Sequence, residues 1–74
     1  MINNRDEVVL KQFGEHLRKL RLAHGLSQDQ LSLKAEISKN QVGNIERGEV
    51  NITLITATAI SKALGIQTKD LFDF

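Results

Sequence analysis

Apolar positions recur at helical spacing along the 74-residue chain, and no stretch shows the one-in-two alternation that a half-buried strand requires. Val9, Leu10, Phe13, Leu17, Leu20 and His24 share one stripe of a first helix. The pattern opens this helix at Asn4, with Glu7 three residues on, and ends it at Gly25, a residue suited to the left-handed conformation that closes a helix. A second helix is predicted from about Gln28 to Ala35, with Leu31 and Ala35 inward, and a third from about Lys39 to Arg47, with Val42 and Ile45 inward and Gly48 as its stop. Thr53 caps a fourth helix that runs to Leu64 and stops at Gly65. A short last turn capped by Thr68 lets Ile66, Leu71 and Phe72 close the bottom of the core. The expected fold class is all-α, with five helices.

The second and third helices have look-alike starts, Leu26-Ser27-Gln28-Asp29-Gln30-Leu31 and Ile37-Ser38-Lys39-Asn40-Gln41-Val42, set eleven residues apart. In each, the Ser hydroxyl can accept from the backbone N–H three residues on, while the Gln there reaches back to the Ser N–H. Leu26 can pack on Leu31 and Ile37 on Val42, fixing the angle at which the chain joins each helix. Eleven residues hold about two helical turns and a connection of about three residues, which suits a helix-turn-helix. Such a motif usually docks its second helix against DNA.

Composition narrows the field. Seventy-four residues make one domain, 1–74, near the smallest size at which a core folds alone, with little room for a buried ligand cleft of about 300 Å³. The chain has no Cys, hence no disulfide or thiolate metal site, and is expected in the cytoplasm. No apolar run reaches the roughly 20 residues of a membrane span, and the first seven residues lack the apolar stretch of a signal peptide. A formal net charge of +1 says little about a polyanion partner. Residues 1–47 carry eight Lys or Arg against six acids, and 48–74 two against three, so the basic side is the motif half.

From His16 to Phe72 the sequence resembles the Cro and phage-repressor type of DNA-binding domain, the xenobiotic-response-element family. The resemblance rests on Leu17, Leu20, Arg21, a Gly-Leu-Ser-Gln run at 25–28, Leu31, Ala35, Ile37, Ser38, Val42, an Ile-Glu-Arg-Gly run at 45–48, Leu54, Ile60, an Ala-Leu-Gly run at 63–65, Leu71 and Phe72. The three runs in order are far more specific than any one. They imply a lambda-repressor-like fold. Three positions depart from the pattern: Glu36 stands in the turn where many relatives have Gly, Ser32 replaces the usual Ala, and Ile52 replaces a frequent Pro. A Glu at positive φ would cost on the order of 1 kcal/mol. Ser32 could loosen the packing of the second helix on the third.

On a helical wheel Lys39, Asn40, Gly43, Asn44 and Arg47 form one arc of the third helix, opposite Val42 and Ile45. Asn matches the N7 and N6 edge of adenine, and Lys can donate to O6 and N7 of guanine. Lys39, Asn40 and Asn44 are therefore the expected base readers, and Gly43 leaves space for a base or methyl to approach the backbone. The alternative for this arc is a solvated polar face. Gln28, with its N–H at a positive helix end, suits a phosphate oxygen. The resemblance puts phosphate contact there and at Ser27, with Arg47, Asn51 and Thr53 flanking the reading helix on the other side. Ser27, Gln28 and Thr53 can instead serve only as caps. Arg21 and Glu46 border the inward faces of their helices and fit the family's structural Arg and Glu pair.

Ile55 and Ala59 are expected to face away from Leu54, Ala57 and Leu64, and with Phe72 and Phe74 they form a candidate homodimer contact. A two-fold dimer would read half-sites about 34 Å apart on double-stranded DNA. An enzyme is the class with least support. His16 and His24 have no nucleophile or metal pattern around them, and Ser27 and Ser38 have capping work. No cofactor, metal or small-molecule ligand is implied. The rival reading is a protein-binding module on the same fold, such as an antitoxin or bridging factor. The end of the chain just past the fifth helix favours a stand-alone regulator, an architecture shared by small restriction-modification controllers.

Overall fold

A computed structural model describes residues 6–74. Its five helices are α1 (Glu7–Ala23), α2 (Gln28–Ala35), α3 (Lys39–Glu46), α4 (Leu54–Leu64) and α5 (Thr68–Leu71). The expected opening at Asn4 lies outside the described residues. Asp6 caps α1, its carboxylate accepting from the Val9 N–H at 3.2 Å. At the other end of the chain Gln67, not Thr68, precedes α5, and Asp70 Oδ2 accepts from the Gln67 N–H at 3.1 Å. The Thr68 hydroxyl is turned instead toward the Ser61 hydroxyl, 3.0 Å away, which joins α5 to α4.

Leu17, Leu31, Val42, Ala57, Ile60 and Leu71 are fully buried, with Phe13, Ala35, Ile45 and Leu64 around them, so every helix contributes to one core. Leu26 and Ile37 are partly buried against it, as the helix starts require. The α1 stripe is narrower than expected: Val9 is exposed, Leu10 and Leu20 are half-buried, and His24 stands in solvent with Nδ1 2.8 Å from the Leu20 carbonyl. Leu54 is exposed as well. Helical side chains tilt toward the N-terminus, so in the first turn of α4 Leu54 points past the core. Phe72 is half outside, with its ring stacked on Phe13 at 5.3 Å.

Two glycines set how closely α1 and α3 approach. A methyl at Gly14, in the middle of α1, would run into the carbonyl oxygens of Ile45 and Glu46. Gly48, at φ 73°, turns the chain after α3 against the Lys11 backbone, 2.9 Å from where a side chain would begin. Neither contact was visible from spacing. A lone Gly inside a helical pattern signals close packing without naming the partner.

Candidate nucleic-acid interface

The starts of α2 and α3 are held by local chemistry. Ser27 Oγ accepts from the Gln30 N–H at 3.0 Å and Gln30 Oε1 accepts from the Ser27 N–H at 2.8 Å, completing the capping box of α2. Ser38 Oγ accepts from the Gln41 N–H at 3.0 Å, but only this forward half is present. Gln41 is half-buried where Gln30 is exposed, and its side chain does not return to Ser38. Between the helices Glu36 adopts φ 59° and ψ 40°, the left-handed conformation that the turn requires. The Ser32 hydroxyl, buried beneath, donates to the Asp29 carbonyl at 2.7 Å, so the extra polar group is satisfied within its own helix.

The inner face of α3 is anchored by Val42, Ile45 and Glu46. Glu46 accepts from Arg21 Nε at 2.6 Å and Nη2 at 3.0 Å, a two-pronged pair with both side chains more than nine-tenths buried. Arg21 Nη1 also donates to the Leu26 carbonyl at 2.9 Å, tying the start of the motif to α1. The hydrogen bond to Glu46 holds the Arg21 guanidinium above its ordinary pKa; burial opposes this and the carboxylate charge adds to it. The expected structural pair is thus present, with a third member that sequence reasoning missed. Gln28 Nε2 donates to Glu46 Oε1 at 3.1 Å, so the side chain expected to meet phosphate is engaged inside the protein.

The outer face of α3 presents Lys39, Asn40 and Arg47 to solvent, with Asn44 half-buried among them. Lys39 Nζ lies 3.6 Å from Asp29 Oδ2, both well exposed, a contact of little energetic weight. Gly43 does not open empty space as expected. The Arg47 side chain folds back over it, with Nη1 2.9 Å from the position a Cβ would take, and Gly43 is buried beneath. Arg47 Nη2 donates to Asn44 Oδ1 at 2.6 Å, and Nε lies 3.2 Å from Glu49 Oε2. Asn51 and Thr53 are exposed beyond this strip, and Thr53 caps α4 by accepting from the Thr56 N–H at 3.1 Å.

The residues grouped as a dimer contact fall in two places. Ile55, exposed, and Ala59, half-buried, line a groove of about 370 Å³ with Lys34, Glu36 and Lys62. Phe72 and Phe74 line another with Phe13, Val50 and Ile52, where Phe74 meets Phe13 edge-on at 5.9 Å. The two rings pack on α1, which satisfies part of their apolar surface within the chain. Ile52, in place of the frequent Pro, packs partly against the core.

Comparison with known proteins gives one answer. The helix-turn-helix family pattern matches residues 17–71. The chain is 41% identical over 63 residues to the control protein C.BamHI of Bacillus amyloliquefaciens, covering 84% of this chain and 78% of that one. It is 39% identical over 54 residues to the immunity repressor of Bacillus phage phi105, covering 73% of this chain and 38% of the repressor. The restriction-modification controller protein C.AhdI of Aeromonas hydrophila superposes with a TM-score of 0.84 at 40% identity, over 85% of this chain and 96% of that structure. With the motif held on a buried ion pair and a polar helix face turned outward, the chain belongs to the helix-turn-helix family of DNA-binding transcriptional regulators.

Proposed function

We propose that this domain, 1–74, works in the cytoplasm as a homodimer that lays α3 of each copy in the major groove of a pseudo-palindromic operator. The observation that carries the reading is the division of α3 into two faces: Val42, Ile45 and Glu46 buried, Lys39, Asn40 and Arg47 exposed. A helix anchored so firmly on one side can hold the other at a fixed angle to a groove. Lys39, Asn40 and Asn44 are the proposed base readers. Phosphate contact is proposed for the N-terminus of α2 at Ser27 and Gln28, where the Gln28 backbone N–H serves rather than the amide bound to Glu46. Asn51 and Thr53 form the opposing clamp. Ile55 and Ala59 supply the proposed two-fold contact, with Phe72 and Phe74 at its margin. The controller relatives support a role in regulating a promoter.

Selection from random double-stranded oligonucleotides, followed by titration of the best site at several salt concentrations, tests this. The expected result is a two-fold symmetric site with half-site centres about 34 Å apart and an affinity that falls steeply with salt. Lys39→Ala and Asn44→Ala should each relax preference at particular base pairs by about 1 to 3 kcal/mol. Selection of no sequence by the wild-type protein would point to a protein partner instead.

A further inference from the structure

We propose that Arg47 is a specificity-determining, base-reading side chain, stored across the outward face of α3 by Asn44 and Glu49, and that Glu49 governs its release. This rests on the reading of the protein as a DNA-binding regulator. Arg47 follows the last turn of α3, and its side chain runs back toward the helix N-terminus, over the residues three and four positions earlier. At one of these, Gly43, there is no side chain to obstruct it, and the guanidinium settles in the gap. At the other, Asn44 Oδ1 receives Nη2 at 2.6 Å. The head therefore lies along the strip that carries Asn40 and Asn44, not out to the side where a phosphate clamp would extend. An arginine fork aimed into the major groove fits O6 and N7 of guanine, a bidentate match that Lys cannot reproduce.

Glu49 completes the arrangement. The left-handed turn at Gly48, pressed on the Lys11 backbone, brings the Glu49 N–H to the Asn44 carbonyl at 2.9 Å and its carboxylate to Arg47 Nε at 3.2 Å. In the free protein this carboxylate meets Nε, one nitrogen of the guanidinium, and holds the head where it lies. DNA must displace it, and its charge repels the approaching phosphates. The pair is more than half exposed, so the exchange is easy and the head stays within reach of a partner.

Sequence selection with Arg47→Lys and Arg47→Ala separates base reading from backbone clamping. The proposal expects both variants, checked for intact helical content, to lose preference at one base pair in each half-site while the others keep theirs. The expected loss is roughly 5- to 150-fold, corresponding to about 1 to 3 kcal/mol at 1.4 kcal/mol per tenfold. Uniform weakening by Arg47→Ala with the site unchanged, and retention of the wild-type site by Arg47→Lys, would mark a phosphate clamp and overturn the assignment. The part given to Glu49 is read from a double-mutant cycle. Glu49→Gln should tighten wild-type binding by roughly 1.5- to 5-fold, the range of an exposed ion pair, and by less in the Arg47→Ala background. An equal gain in both backgrounds would reduce Glu49 to a distant charge and remove it from the proposal. If the wild-type protein selects no sequence at all, the DNA-binding reading itself fails and this assignment with it.

Discussion

Glu46 accepts hydrogen bonds from α1 through Arg21 and from α2 through Gln28 while belonging to α3, so one carboxylate joins three helices. A buried pair of this kind need not add net stability, because both charges have left water. Removing one partner is a different matter, since it strands the other. Glu46→Ala is expected to destabilise the fold by about 3 to 5 kcal/mol in urea titrations, whereas truncating the exposed Glu15 should change stability by under about 0.5 kcal/mol. Equal losses would mean that the pair does not anchor α3. The pair itself was legible, since both residues border apolar stripes and fit a known pattern. Gln28 was not, because an amide at a helix start has several uses and only the folded geometry brings it to Glu46. Gly43 was misread for the same reason: the sequence showed a missing side chain, and the structure shows which neighbour, Arg47, takes the room.

At the scale of elements, four helix ends close in the same way. After α1, α2, α3 and α4 the chain passes through Gly25, Glu36, Gly48 and Gly65, each at positive φ, and the next residue donates back to the last turn, as Leu26 does to Arg21 and Ile37 to Ser32. Glu36 is the one side chain among them. It also places a negative charge at the C-terminal end of α2, where the helix dipole disfavours it. Glu36→Gly should stabilise the protein by about 1 kcal/mol, a rise in Tm of roughly 4 to 8 °C for a domain of this size, net of the added freedom of the unfolded chain. Glu36→Asn should recover part of this gain and Glu36→Ala little, since Ala removes the charge but keeps the Cβ. A Tm unmoved by glycine would show that the turn carries no strain. This strain, like the cores and ends of α2, α3 and α4, was legible because caps, stop signals and apolar periodicity are local. What could not be read locally was the edge of the core. Whether Val9, Leu54 or Phe72 is covered depends on which other helix reaches it, and all three remain exposed.

At the scale of the molecule, ten buried apolar residues among those described make a small core, while Ile55 on α4 remains largely exposed beside Ala59. A face of this kind gains by being covered. If a second copy covers it, folding and association are linked, and apparent stability must rise with protein concentration. Thermal unfolding of the wild-type protein across a hundredfold concentration range should therefore show a rising Tm. Ile55→Glu should abolish the dependence and sediment as a monomer, with its isolated-domain fold intact because residue 55 lies outside the core. The same variant should bind a two-fold operator far more weakly, since each half-site would have to be found separately. Phe74→Ala distinguishes the two apolar grooves: the Phe74 ring already meets Phe13 edge-on, beside the stacked Phe72, so its loss should lower Tm at every concentration without changing the slope. A concentration-dependent Tm that survives Ile55→Glu but not Phe74→Ala would move the two-fold contact from α4 to the α1 and α5 edge.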